Sequence, residues 1–240
     1  MTNRGSAQRE KKGAGVLLAC WECRAALGGT DAAANHFCAH CGKVQPLAGQ
    51  TDYFRFFALP RQLGLDAAEL EKQFHQLSWQ LHPDRFHTAG AYEQELSLER
   101  TALLNDAYRT LRDPVSRVGY LLALEGVRKE GEVKQQAPPD LLEEVFALNE
   151  YLEELRTAKR SGGDAHELED LRHRLEKTRQ IFQQKLDAVL AELTAQFPLW
   201  DQALQAGRDG RPVLERLSEI LNRHSYIRNL VHNVTEELES

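Results

Sequence analysis

Apolar side chains recur every three or four residues in three stretches of the C-terminal half of the chain. These stretches are residues 140–160, 165–197 and Val213–Glu237. The spacing is typical of the buried face of an amphipathic helix. Short breaks at residues 161–163 and 206–212 separate the three stretches. The pattern therefore predicts an antiparallel three-helix bundle whose core holds most of these apolar side chains.

Capping residues mark the expected ends of these helices. Asp140 is predicted to cap the first helix, with Glu143 as its capping-box partner, and Asp164 is predicted to cap the second. Pro198 is predicted to end the second helix, because proline interrupts the helical hydrogen bonds.

Two further helices are predicted in the middle of the chain. Asp66 is the predicted N-cap of the first, which ends before Pro83 because proline disfavours helix at the preceding residue. The second runs from about Tyr92 to Leu111 and is stopped by the Asp-Pro pair at residues 113–114.

Composition and charge narrow the function classes. The chain has 240 residues, of which 42% are apolar and 28% charged, which suits one or two ordinary domains. It has no run of 18 apolar residues, which predicts no membrane span. The net charge of −6 argues against a general nucleic-acid binder. The charge is +3 over residues 1–50, −2 over 51–137 and −7 over 138–240, which suggests steps near residues 50 and 138.

All four cysteines form two CxxC pairs, Cys20 with Cys23 and Cys38 with Cys41, separated by fourteen residues. This spacing matches a four-cysteine zinc site, because each turn presents two sulfurs to one ion. Gly42 follows the second pair, where a positive φ is often needed. Four thiolates leave no open position on the metal, so the predicted Zn²⁺ is structural rather than catalytic.

Other interpretations of the cysteines are two local disulfides, a redox dithiol, or iron, which the spacing alone also permits. His36 and His40 lie beside the pairs and could replace a thiolate, but they are expected to be bystanders because four thiolates close the site. Residues 1–15 are Gly-rich and polar and are predicted to be a flexible tail.

His82, Pro83 and Asp84 stand in the loop between the two middle helices. A His and an Asp could act as acid and base, but no nucleophile is identifiable, so no catalytic residue is predicted. This helix pair, with Asp-Tyr-Phe at residues 52–54 and Leu-Asn-Asp-Ala-Tyr-Arg-Thr-Leu at residues 104–111, resembles a J-domain. The resemblance implies that the loop and the preceding helix dock on an Hsp70-type chaperone and stimulate its ATPase.

The segment 114–126 narrows this resemblance. The residues Arg117, Tyr120, Leu121, Leu122 and Gly126 look like the segment after the J-domain in the HscB family, co-chaperones of iron–sulfur cluster biogenesis. A four-cysteine module ahead of the J-domain is similar to the longer members of that family.

The expected fold is mainly α, with a small zinc module, a helical J-domain and a three-helix bundle. Residues 52–59 could form a strand, but a short helix capped by Thr51 or Asp52 fits better. The predicted domains are a flexible tail at 1–15, a zinc module at 16–50, a J-domain with the following helical segment at 51–127, a linker at 128–139 and a scaffold-binding bundle at 140–237.

The resemblance implies a chaperone-binding surface formed by His82, Pro83, Asp84, Lys72, Gln76 and Arg85. The helix before a J-domain loop is usually strongly basic, yet residues 66–81 carry one Lys and one His against three carboxylates. Electrostatic steering to an acidic chaperone is therefore expected to be weak. Trp79 is either part of the contact or a core residue of the helix pair.

The resemblance also implies a scaffold-binding face on the bundle. Residues 141–150 align with a family pattern of apolar and acidic side chains. The matching residues are Leu142, Phe146, Asn149 and Glu150, with Tyr226 on the third helix. Ala147 and Glu143 depart from the pattern, which could weaken or reshape the contact.

The expected function is that of a co-chaperone, not an enzyme. It would recruit an IscU-like iron–sulfur scaffold to an HscA-like chaperone of the Hsp70 type and stimulate its ATPase, with Zn²⁺ as cofactor and without nucleic-acid or membrane contact. One alternative is a zinc-ribbon nucleic-acid or transcription adaptor, which would need clustered basic side chains, although only Arg24 and Lys43 lie near the CxxC pairs. Another is a cysteine metal or redox sensor. The expected compartment is the bacterial cytoplasm, with the mitochondrial matrix second.

Overall fold

A computed structural model describes residues 19–27, 35–47, 52–128 and 138–239. The predicted tail at 1–15 and most of the predicted linker at 128–139 lie outside these ranges. Within them the chain is mainly helical, as predicted, and its β pairing consists of two isolated bridges. None of the described helices is long and apolar enough to cross a membrane.

The described helices are α1 Tyr53–Phe56, α2 Ala67–Leu81, α3 Ala91–Arg112, α4 Pro114–Leu124, α5 Leu142–Ser161, α6 Ala165–Ala195, α7 Phe197–Gln205 and α8 Arg211–Glu239, with 3-10 turns at Pro83–Phe86 and Pro139–Leu141. Two compact units emerge. The first unit contains the described residues up to Pro60 together with Glu71–Tyr108, and the second contains Arg61–Leu70 and the described residues from Arg109 onward.

Predicted caps begin the first helices. The Asp52 side chain accepts a hydrogen bond from the amide of Arg55 at 2.9 Å, so the short helix is confirmed over the strand. Asp66 accepts from the amides of Ala68 and Glu69 at 2.9 and 3.2 Å. Each carboxylate satisfies donors that a helix start leaves unpaired.

In the first unit, the two middle helices pack against each other. Phe74 of α2 stacks on Tyr108 of α3, with ring centroids 4.0 Å apart. The hydroxyls of Ser97 and Thr101 donate to the carbonyl of Leu81 at 2.7 and 3.0 Å. That carbonyl ends α2 and has no partner within the helix. Helix α3 therefore fixes the end of α2 just before the loop.

In the second unit, α5, α6 and α8 form the predicted bundle. Its buried core includes Leu148, Leu152, Leu155, Leu175, Phe182, Leu193, Leu217, Ile220 and Ile227. Ion pairs join α8 to the start and to the end of α5, Arg223 with Asp140 at 2.6 Å and Arg156 with Glu237 at 2.8 Å. Helices α5 and α8 therefore run in the same direction.

Two predicted helix ends are wrong. Asp140 does not cap α5, which begins at Leu142 without a side-chain cap, because the Asp140 carboxylate is engaged by Arg223. Pro198 does not end the second bundle helix. That helix ends at Ala195, and Pro198 lies in the first turn of α7, where a missing amide proton costs nothing.

Helix α7, which the pattern did not predict, holds the segment 61–70 in the second unit. The indole Nε1 of Trp200 donates to the carbonyl of Arg61 at 2.7 Å. The Asp201 carboxylate accepts from the amides of Leu63 and Gly64 at 2.7 and 2.8 Å. These bonds satisfy backbone groups of the irregular stretch 61–64, which precedes α2 and has no helical hydrogen bonds of its own.

Candidate functional site

The two CxxC turns have the same backbone pattern. The amide of the first cysteine donates to the carbonyl five residues later, from Cys20 to Ala25 at 2.8 Å and from Cys38 to Lys43 at 2.9 Å. The residue after each second cysteine has a positive φ, 59° at Arg24 and 71° at Gly42. The prediction for Gly42 is confirmed, while Arg24 adopts the same turn despite its side chain.

The four thiols converge on one point. The Sγ atoms of Cys20 and Cys41 are 3.6 Å apart, those of Cys23 and Cys38 are 3.7 Å apart, and all four lie within 4.8 Å of one another. Four sulfurs about 2.3 Å from a central ion have tetrahedral edges of about 3.8 Å. The residues therefore fit one tetrahedral metal ion, and none of the four cysteines forms a disulfide.

The thiols hold their protons unequally. Burial raises the pKa of Cys20, but hydrogen bonds from the amides of Cys23 and Glu22 lower it to about 6. The amide of Lys43 lowers the pKa of Cys41, but burial and the neighbouring sulfurs raise it to about 12. Four neighbouring thiolates repel one another, so the thiols cannot all ionise easily by themselves. A bound cation removes this obstacle because it favours the thiolate form of each cysteine.

Arg100 of α3 fastens the four-cysteine module within the first unit. Its side chain is fully buried. The guanidinium donates to the carbonyls of Gln45 and Pro46 at 2.8 to 3.0 Å and to Nδ1 of His36 at 3.0 Å. Sequence reasoning missed this residue, although its position four residues from both Leu96 and Leu104 places a charge within an apolar stripe.

His36 is a partner of this arginine and lies outside the thiol cluster. With Nδ1 accepting from Arg100, Nε2 carries the proton and donates to the carbonyl of Phe56 at 3.1 Å. Burial and the charge of Arg100 lower its pKa to about 4, so the ring is neutral. The expectation that His36 is not a ligand agrees with the thiol cluster, which contains cysteines alone among the described residues.

A second contact joins the module to the start of α3. Lys43 pairs with Glu93 at 2.6 Å, and the same buried carboxylate accepts from the amide of Val44 at 3.3 Å. Trp21 donates to the carbonyl of Val44 at 2.7 Å and meets the ring of Tyr92 edge-on at 4.9 Å. The four-cysteine module is therefore built onto the helix that follows the His-Pro-Asp loop.

The His-Pro-Asp loop is exposed and locally ordered. Pro83 begins a 3-10 turn, and Nδ1 of His82 accepts from the amide of Asp84 at 3.3 Å. His82 and Asp84 are exposed and Pro83 is half-buried. The loop therefore presents a locally ordered shape to solvent.

The other predicted chaperone-binding residues lie beside this loop. Lys72 and Gln76 are exposed on α2. Trp79, one turn further, is 65% exposed, so the core interpretation of this residue is wrong. The Arg85 guanidinium carbon lies 3.8 Å from the centre of the Trp79 ring.

The predicted scaffold-binding residues lie on the surface of the bundle. Leu142 is 41% exposed and Phe146 is 71% exposed, although their spacing also suits a core position. Asn149 and Glu150 are exposed beside them, and Tyr226 of α8 is half-buried. Arg223, one turn before Tyr226, pairs with Asp140 just before α5, so both helices bring these residues to the same end of the bundle.

Comparisons with known proteins agree with this arrangement. None of the protein-family models matches the chain. A co-chaperone protein HscB homolog of Aromatoleum aromaticum is 31% identical over 192 residues, which are 80% of this chain and 96% of the relative. An HscB homolog of Vibrio atlanticus is 32% identical over 170 residues, 70% of this chain and 94% of the relative.

Two solved structures are similar to the chain. The crystal structure of the human co-chaperone protein HscB matches with a TM-score of 0.66 at 24% identity, over 92% of this chain and 98% of the human one. The chaperone HscB from Vibrio cholerae matches with a TM-score of 0.54 at 28% identity, over 77% and 96% of the two chains. The human match reflects the fold, whereas the bacterial relatives carry the sequence likeness.

Proposed function

Because the chain belongs to the HscB family of co-chaperones, we propose that it couples an iron–sulfur scaffold protein to an Hsp70-type chaperone and stimulates the ATPase of that chaperone. As a co-chaperone it is an adaptor and not an enzyme. The observation that carries the proposal is the exposed His82-Pro83-Asp84 loop, held in a fixed shape at the end of α2. The chaperone in this proposal is HscA-like and the scaffold is IscU-like.

The chaperone end of the adaptor is the surface formed by the loop and α2. A J-type loop acts by biasing the conformational cycle of the chaperone, so it must be accessible and preformed. The hydrogen bonds of Ser97 and Thr101 to Leu81 supply the rigid support from α3. His82, Lys72 and Gln76 remain exposed for the chaperone.

The scaffold end is the exposed pair Leu142 and Phe146, with Asn149, Glu150 and Tyr226 around it. Large apolar side chains exposed next to carboxylates form a typical interface anchor with a polar rim. Because the exposed acid groups include Glu143 and Glu150, the scaffold surface that fits here is apolar at its centre and basic at its edge.

Zinc is the metal we propose for the thiol cluster. Cys20, Cys23, Cys38 and Cys41 would hold Zn²⁺ as thiolates, and the ion supplies a closed structural cross-link between the two turns. Soft sulfur ligands at tetrahedral distances favour Zn²⁺ over oxygen-preferring cations. The nucleic-acid alternative is weakened because Lys43, one of two cations near the turns, is already paired with Glu93. The bacterial relatives support a bacterial cytoplasm as the compartment.

The test is chaperone ATPase stimulation by purified chain, with and without scaffold. His82→Gln should abolish stimulation and leave scaffold binding unchanged, while His232→Gln, at an exposed histidine of the bundle, should change neither. Full stimulation by His82→Gln at saturating concentration would refute the role of the loop.

The scaffold end is tested separately by titrating the scaffold and measuring its dissociation constant. Phe146→Ala should weaken scaffold binding at least about tenfold, and Leu199→Ala, half-exposed on α7, serves as the control. Unchanged binding by Phe146→Ala would place the scaffold elsewhere.

A further inference from the structure

We propose that Trp79, with the Arg85 guanidinium stacked on its ring, is an aromatic anchor that supplies most of the affinity of this chain for its Hsp70-type chaperone. The proposal rests on the proposed function and names a further binding residue for it. The indole would enter an apolar depression on the chaperone, and Arg85 would face a carboxylate at the rim of that depression.

Trp79 stands on the docking face of α2. Lys72, Gln76 and Trp79 follow each other at intervals of four and three residues, so all three project from one side of the helix. The indole is 65% exposed and lies three residues before the His-Pro-Asp loop. An exposed tryptophan of this size next to a functional loop is characteristic of an interface anchor.

Arg85 orients the indole from the other side of the loop. Its guanidinium carbon is 3.8 Å from the ring centre, which is a close cation–π contact. The contact links α2 to the 3-10 turn that begins at Pro83. Cation–π pairs strengthen when water is removed, so this pair gains from burial in a complex.

The charge of the same face excludes a mainly electrostatic contact. Helix α2 contains one lysine, Lys72, against Glu69 and Glu71. Glu69 lies on the same side as Lys72, and Asp84 stands beside Arg85 in the 3-10 turn, so two carboxylates face the two cations of this surface. Opposite charges this close largely cancel at the distances over which steering acts. The binding energy must therefore come mainly from apolar burial, for which Trp79 is the large side chain available on this face.

The experiment measures chaperone ATPase stimulation against the concentration of this chain, without scaffold. Trp79→Ala should raise the half-stimulating concentration at least about tenfold and leave the maximal stimulation unchanged, since the loop stays intact. The control is Ile181→Ala, at a large apolar side chain of α6 that is 51% exposed and belongs to neither proposed interface, and it should leave both quantities unchanged. Thermal unfolding of both variants should equal that of the parent, because the two side chains are exposed.

Salt dependence provides the second readout. The parent should lose little affinity between low and high NaCl, whereas Trp79→Arg, which adds a positive charge to α2, should bind in a clearly salt-dependent way. Unchanged half-stimulating concentration in Trp79→Ala, or steep salt dependence of the parent, would overturn the anchor. If His82→Gln abolishes stimulation in the same assay, such a result refutes the anchor alone and leaves the proposed function standing.

Discussion

Replacing Arg100 by methionine should unfold the junction between the four-cysteine module and α3. Methionine keeps the length of the aliphatic stem but removes every donor. The carbonyls of Gln45 and Pro46 and Nδ1 of His36 then lose their partners in a buried environment. Each buried acceptor left unpaired costs about 1 kcal/mol or more.

The net loss of unfolding free energy should be about 3 kcal/mol. Three orphaned acceptors and the space left by the guanidinium add to somewhat more than that. Methionine also removes a buried charge, which by itself would stabilise the fold. The cost of burying that charge is evident in the pKa of Arg100, which burial lowers to about 10. In the parent protein the hydrogen bonds of the guanidinium already offset the cost of its desolvation, so their removal dominates.

Hydrogen exchange read by mass spectrometry localises the effect. Peptides from α3 and from residues 35–47 should lose protection, while peptides from α6 act as the internal reference. Arg109→Met, at an exposed arginine of the same helix, should change the free energy by less than about 0.5 kcal/mol. A loss below about 1 kcal/mol in Arg100→Met would refute the argument that these bonds hold the module.

Two further predictions concern the metal and a buried histidine. Cys38→Ser should reduce bound zinc from about one ion per chain to a small fraction, measured by elemental analysis, and full retention would contradict a four-thiolate site. Burial, reinforced by Arg228 and opposed by Asp113, lowers the pKa of His224 below its ordinary 6.5. The unfolded chain therefore takes up a proton first as the pH falls through 6.5, and stability is lost below that pH. Urea unfolding at pH 7.5 and 5.5 should show this loss, and His224→Gln should lessen it. An equal loss in that variant would assign the pH dependence to other groups.

Local signals predicted the helices well where the deciding residues are neighbours in sequence. Asp52 and Asp66 cap their helices through amides two or three residues away, so the local sequence is sufficient to predict where each helix begins. The CxxC spacing likewise predicted the convergence of the thiols, because each turn fixes two of them.

Prediction failed where distant residues decide. Asp140 has the chemistry of a helix cap, but Arg223, which lies 83 residues later, takes its carboxylate. Proline is compatible both with the end of one helix and with the first turn of the next, and only the folded chain shows that Pro198 lies in the first turn of α7. The sequence did not decide whether Trp79 is exposed, because the periodicity of α2 does not distinguish a solvent-exposed aromatic side chain from a buried one.

The bonds between Asp201 and the amides of Leu63 and Gly64 have a consequence for synthesis of the chain. Gly64 and Asp201 are 137 residues apart. At about 5–20 residues per second on the ribosome, the segment 61–70 waits about seven to thirty seconds for its partner. During that interval the amides of Leu63 and Gly64 lack the acceptor that they have in the folded protein. We expect general chaperones to meet this stretch on the nascent chain before the finished protein meets a specialised one.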